Sequence, residues 1–86
     1  MVLKLFTIRD TKAGNYNAPF AQKSHGEAER TLKELTSDPQ SLLHKYPEDY
    51  DLYFLGDYDD ISGKMVLKDT PQHVIKAAQV APKAQA

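Results

Sequence analysis

Tyr50-Asp51-Leu52-Tyr53-Phe54-Leu55-Gly56-Asp57-Tyr58 is the stretch that decides the fold. Read as an extended chain, it puts Leu52 and Phe54 on one side and Tyr53 and Leu55 on the other, the pattern of a central strand. Downstream, Asp59-Asp60-Ile61-Ser62-Gly63 supplies turn residues and Lys64-Met65-Val66-Leu67-Lys68 resumes an extended run, which predicts a hairpin. Beyond it, Thr70-Pro71 has the form of a helix start, Thr at the N-cap and Pro at the first helical position. That predicts a last helix through His73, Val74, Ile75 and Ala78. Residues 81–86 carry no core-forming side chain and are expected to form a flexible tail.

Upstream of the central strand, Ser24-His25-Gly26-Glu27 pairs an N-cap serine with a glutamate three residues on, and a helix is expected to begin there. Ala28, Leu32 and Leu35 then share one face, while Glu29, Arg30, Lys33 and Glu34 stay wet. Asp38-Pro39 ends the helix, because proline disfavours an α conformation in the residue before it. Gln40 to Lys45 reads as one further helical turn carrying Leu42 and Leu43, closed by Tyr46-Pro47. At the start of the chain, Val2 to Arg9 reads as a strand buried on both faces for most of its length. A turn-rich segment from Asp10 to Asn17 follows, and Ala18 to Gln22 reads as a short edge strand, since Pro19 lacks the donor that a central strand requires.

Composition bounds the function. The chain has 86 residues, 11 Lys plus Arg against 12 Asp plus Glu and a formal net charge of −1, so no charge surplus drives phosphate binding by counterion release alone. No uninterrupted apolar run approaches the roughly 20 residues of a membrane helix. Met1 to Phe6 offers neither a basic leader nor a small-residue cleavage site, so export is not expected. With no cysteine, disulfides, thiolate zinc sites and cysteine nucleophiles are excluded. A chain this short has a thin core, which a dimer or partner would relieve. Charge is nevertheless uneven: residues 1–33 hold six basic and three acidic groups, residues 34–69 three and nine, so a basic and an acidic face are expected after folding.

Three groups of residues are candidates for chemistry. Arg9, Lys12, Asn15, Tyr16, Asn17, Phe20, Gln22 and Lys23 interleave cations, amides and rings on the N-terminal hairpin. Single-stranded nucleic-acid sites use that mixture, cations tracking phosphates while rings stack on bases. An ordinary solvated hairpin, with Tyr16 and Phe20 covering the core, accounts for the same residues. Asp57-Tyr58-Asp59-Asp60-Ile61-Ser62-Gly63 spaces its acids as calcium loops do but lacks the closing glutamate, and a hairpin turn built on Asp and Gly also explains it. Glu48, Asp49 and Asp51 with Asp57, Asp59 and Asp60 form an acidic candidate surface for a basic partner. His25, His44 and His73 lack ligand-pair spacing, and no serine sits in a nucleophile elbow, so neither a metal site nor catalysis is expected.

Leu5-Phe6-Thr7-Ile8-Arg9-Asp10-Thr11-Lys12-Ala13-Gly14, then Pro19-Phe20, then Gly26-Glu27-Ala28-Glu29-Arg30, then Lys45-Tyr46-Pro47-Glu48-Asp49-Tyr50-Asp51-Leu52-Tyr53 with Leu55-Gly56-Asp57-Tyr58-Asp59 carry a family resemblance. In order and spacing, up to about Val80, the chain resembles the small non-structural (ORF5-type) protein of gokushoviruses, the single-stranded-DNA phages of the Microviridae. The resemblance implies a protein made in the cytoplasm of the infected bacterium, absent from the mature capsid, acting in viral DNA replication or the switch to single-strand synthesis. It brings no catalytic residues with it. It favours the hairpin from Arg9 to Lys23 as a DNA contact, with a homodimer as the natural way to double a basic face that is weak in one copy.

These readings combine into expectations. The fold is an α+β domain over residues 1–80, with a mainly antiparallel sheet of three to four strands, the Ser24 helix packed on one face and a short C-terminal helix. The function is that of a non-enzymatic phage accessory protein without cofactor or membrane association. It binds single-stranded DNA through Arg9, Lys12, Asn15, Tyr16, Asn17, Phe20 and Lys23. The alternative is a module that engages phage or host replication proteins through Glu48, Asp49, Asp57, Asp59 and Asp60.

Overall fold

The computed structural model describes residues 1–81. Five strands, β1 (Val2–Asp10), β2 (Asn15–Tyr16), β3 (Phe20–Gln22), β4 (Tyr50–Asp59) and β5 (Met65–Lys76), form one antiparallel sheet. Its order is β2-β1-β4-β5, with β3 pairing to β1. β1 pairs with β4 along its whole length, so β2 and β3 share the other edge of β1. Three helices, α1 (His25–Ser37), α2 (Leu42–Lys45) and α3 (Ala77–Val80), and a 3-10 turn at Pro47–Asp49 complete the described residues.

The sequence expectations hold for the local elements whose signals are short-range. The Ser24 hydroxyl accepts a hydrogen bond from the Glu27 N–H at 3.2 Å, which occupies one of the four free donors at the start of α1. Asp38 is extended, at φ −80° and ψ 114°, and α1 stops where the following proline requires it. β4 is central, as the alternation of its side chains predicts. Its Leu52 and Phe54, with Phe6 and Ile8 of β1, meet Ala28 and Leu32 of α1 in the core. Phe6, Leu32 and Leu52 have no exposed surface at all. Burying each such side chain stabilises the fold by roughly 1.5–3 kcal/mol.

The α+β expectation is corrected by the strand content. The molecule is mainly a curled, half-barrel antiparallel sheet, 44% strand and 30% helix, with a single helix of seven or more residues. The three to four expected strands become five because Asn15–Tyr16 pairs with β1 in its own right, and the predicted C-terminal helix instead extends the last strand. His73, Val74 and Ile75 lie in β5, opposite Tyr53 and Leu52, and only Ala77–Val80 turns helical. A strand of ten residues at the centre of a sheet has backbone donors and acceptors on both edges, and β5 is the segment that satisfies the outer edge of β4. Those long-range bonds outweigh a helix-start signal worth about 1 kcal/mol. Pro71 fits the strand as well as it fitted a helix, because it stands where the ladder is interrupted. The expected flexible tail lies outside the described residues, apart from Ala81.

The curl has a local cause at Leu55-Gly56. Both ladders of β4 shift register there: Leu5 pairs with Gly56 but Phe6 with Phe54, and Gly56 pairs with Leu67 but Phe54 with Gln72. Gly56 has φ +148°, and a Cβ on it would lie 2.3 Å from the Val66 carbonyl oxygen and 2.7 Å from the Leu67 Cα. No side chain fits so close an approach of backbone to backbone. The helices cover the sheet on the Phe54 side of this kink, while every residue from Asp60 to His73 is exposed.

Candidate nucleic-acid interface

Residues directly opposite in antiparallel strands share a face, so the ladders assign each side chain to one side of the sheet. Phe6, Ile8, Leu52 and Phe54 face α1. Arg9, Thr7, Tyr53 and Asp51 therefore face away from it, joined by Tyr16 opposite Arg9, His73 opposite Tyr53 and Lys76 opposite Asp51. Four strands thus contribute to one row of side chains on the helix-free face.

The row is built of edge-to-face rings. Tyr16 and Tyr53 have centroids 5.5 Å apart at 76°, and Tyr53 and His73 are 5.4 Å apart at 85°. Such tilted contacts are the preferred geometry of aromatic pairs. Arg9 lies over the Tyr16 ring, its Cζ 5.6 Å from the centroid. Tyr16 is 46% exposed and the His73 side chain 48%, so the row offers ring surface to solvent.

Asp51 organises the end of the row. It is 6% exposed, and a carboxylate so buried needs partners. His73, with its proton on Nε2, donates to Asp51 Oδ1 at 2.8 Å, and Lys76 Nζ stands 3.6 Å from the same oxygen while donating to the Glu48 carbonyl at 3.0 Å. These contacts hold β5 to β4 and orient the His73 ring beside Tyr53.

The structure divides the sequence-predicted residues. Arg9 and Tyr16 join the row, and Lys12 and Asn15 stand exposed at the adjoining hairpin tip. There the Asp10 carboxylate accepts from the Lys12 and Ala13 N–H groups, and Gly14, at φ +77°, makes the turn. Asn17 serves the backbone: its N–H donates to the Ile8 carbonyl at 2.8 Å and its own carbonyl accepts from the Thr7 hydroxyl at 2.7 Å. Phe20 lies on the opposite face, half-buried and 6.1 Å from the Phe6 ring, and Gln22 donates to Thr31 of α1. Lys23 stands exposed beside the start of α1.

Tyr53, His73 and Lys76 are the members of the row that the sequence reading did not assign to the site. Tyr53 was legible as a strand residue, but its face depends on pairing. His73 and Lys76 were hidden by the false helix, although the β-branched pair Val74-Ile75 beside them was a signal for strand. The other histidines lie apart. His25 opens α1 and packs on Phe6 and Phe54, at 5.2 and 4.9 Å, and His44 Nδ1 lies 2.9 Å from the Thr36 carbonyl. No group of three or more metal-ligating side chains occurs among the described residues.

The acidic candidates fall into two sets. Glu48 and Asp49 sit at the start of β4, whereas Asp57, Asp59 and Asp60 lie at its far end. Asp57 lies eight positions along the chain from Asp49, about 26 Å at ~3.3 Å per residue of strand. The distal acids have local partners: Asp57 lies 3.9 Å from Lys4 and Asp60 accepts from the Met1 ammonium at 2.7 Å. Asp59 accepts from the Ile61 and Ser62 N–H groups, and these bonds hold its carboxyl below the usual carboxylate range. The segment from Asp57 to Gly63 is accordingly a hairpin turn, with Gly63 at φ +76°.

No helix among the described residues is long and apolar enough to cross a membrane. No solved structure matches this chain. The chain matches the family model described as phage ORF5 protein over residues 3–80. It is 33% identical over 64 residues to Protein ORF5 of Chlamydia phage 1, a match covering 69% of this chain and 66%, just under two thirds, of that protein. A family match across the whole sheet and α1, together with this relative, places the chain in the phage ORF5 protein family, as its motifs from Leu5 to Asp59 led us to expect.

Proposed function

We propose that this ORF5 protein is a non-enzymatic accessory protein that binds single-stranded DNA on the helix-free face of its sheet, in the cytoplasm of the infected bacterium, during viral DNA replication. The observation that carries this reading is the row Arg9, Tyr16, Tyr53 and His73, three rings and a guanidinium shared by four strands. Rings on a sheet accept any base on their faces, and the cations at the margin, Arg9 and Lys12, are placed to meet phosphates. The resemblance to gokushovirus proteins supplies a single-stranded genome as the ligand at hand. Lys76 is engaged by Asp51 and Glu48, so phosphate contact falls mainly on Arg9 and Lys12 and the expected affinity is modest. The acidic candidates receive less support as one docking surface, since they lie at opposite ends of β4.

Fluorescence anisotropy of a labelled single-stranded oligonucleotide at two salt concentrations, with a duplex of equal length as control, tests the reading. Salt-sensitive binding that prefers the single strand is expected. Tyr16→Ala is expected to weaken it by roughly 1–3 kcal/mol, the worth of one stacked base. Phe20→Ala should affect stability instead. Flat titrations, or binding indifferent to Tyr16→Ala, would overturn the reading.

A further inference from the structure

We propose that the outer edge of β5 at Met65–Leu67 pairs antiparallel with the same segment of a second copy, closing a symmetric dimer across a continuous sheet. The surface is independent of the aromatic row. β5 ends the strand order, and nothing pairs with its outer edge among the described residues. Met65, Val66 and Leu67 are 57, 72 and 58% exposed, a large apolar stretch for a surface strand. An edge of this kind is a template for another strand unless something covers it.

The phase of the ladder shows which groups are free. Asp59 N–H donates to the Lys64 carbonyl at 2.9 Å, so Asp57 and Val66 form the next hydrogen-bonded pair. Met65 and Leu67 therefore turn their N–H and C=O groups outward. A two-fold axis through an antiparallel pair sets one residue opposite its own copy, and Leu67 on Leu67 uses those free groups in both chains.

Charge is compatible with the same register. Centred on Leu67, the pairing sets Val66 opposite Lys68 of the second copy and Met65 opposite Asp69, with no like charges facing. Centred on Val66, it sets Lys64 opposite Lys68, which is repulsive. The pairing is also self-limiting. Residues 68–71 are interrupted in the β4 ladder and Pro71 has no N–H, so the seam is short. On the far side of the sheet, β2 and β3 hold two and three residues with Asn17–Pro19 between them, too broken an edge to continue a fibre.

Sedimentation equilibrium of the full chain over a concentration series tests this. The expected result is a reversible dimer of twice the 9.7 kDa chain mass. Met65→Glu, which faces a carboxylate with a carboxylate, should weaken it tenfold or more, whereas Met65→Lys at the same exposed position should keep it. Adding Asp69→Lys to Met65→Glu should restore it, and circular dichroism checks that each variant is folded. A chain that stays monomeric at all concentrations overturns the proposal and leaves the edge to a strand from another protein. A dimer indifferent to Met65→Glu, one that Met65→Lys disrupts equally, or an assembly that grows without limit overturns it too. DNA binding by a monomer would leave the proposed function standing, so the two readings fail separately.

Discussion

The two halves of the β4 strand share a backbone ladder and differ in almost everything else. From Tyr50 to Phe54 the strand is covered on one face by α1, and Tyr50, Leu52 and Phe54 are buried with Phe6, Ile8 and Leu32. From Asp57 to Asp59 it continues into a hairpin that no helix covers, where Ile61 and Val66 are 85% and 72% exposed. Gly56 divides them. The comparison teaches that sheet hydrogen bonds alone do not create a core; the helices decide which half of the sheet becomes one. The molecule is correspondingly long, 48 Å against 24 and 19 Å across.

The largest test of this contrast sets a core residue against a hairpin residue. Phe6→Ala empties a fully buried site and should cost about 3–5 kcal/mol in chemical denaturation. Val66→Ala, measured in dilute monomer, should change stability by less than about 0.5 kcal/mol. A comparable loss at Val66 would break the division into two halves. Gly56→Ala probes the boundary itself, where the new methyl meets the Val66 carbonyl and the φ of +148° disfavours any side chain. A cost of about 1–3 kcal/mol is expected, with faster amide hydrogen exchange around Val66. Smaller effects are expected at the helix that covers the proximal half: Ser24→Ala removes the cap of α1 and should cost about 1 kcal/mol, read by thermal melting.

The smallest test is pH, and its sign differs between the halves. Burial raises the Tyr50 hydroxyl above its ordinary value of 10.0, with the Asp10 carboxylate adding to the effect. The folded state then holds this proton more tightly, so its stabilising contribution is complete below pH 10 and declines as pH rises through the folded value. Tyr50→Phe should flatten alkaline unfolding curves. In the hairpin, Asp59 has the opposite sense: its carboxyl is held below 3.8, so its contribution is present above that value and fades as pH falls further. NMR titration of Asp59 should show the low midpoint, and Asp59→Asn should abolish the acid-side loosening of the turn.

Much of the proximal half was legible because its signals are local. Ser24 with Glu27, Asp38 before Pro39 and the alternation around Leu52 and Phe54 each act within a few residues, and each element they predict is present. The site was legible only in part. Arg9 and Tyr16 belong to one hairpin, and a mixture of cations and rings marks it in the sequence. Phe20 shares that mixture, yet its pairing with Phe6 turns it to the helix side.

What the amino-acid order determined by itself is therefore the α1 helix with its ends, the turns at Gly14 and Gly63, the strand character of β1 and β4, and the family. The tertiary structure alone decided that Thr70 to Lys76 is strand, that Tyr53 and His73 stand beside Tyr16, and that Phe20 does not. Caps and turns are satisfied by neighbours along the chain, whereas a strand's state and the face of each side chain depend on the register of a ladder with partners elsewhere in the chain, as Phe6 is for Phe20 and Tyr53 for His73.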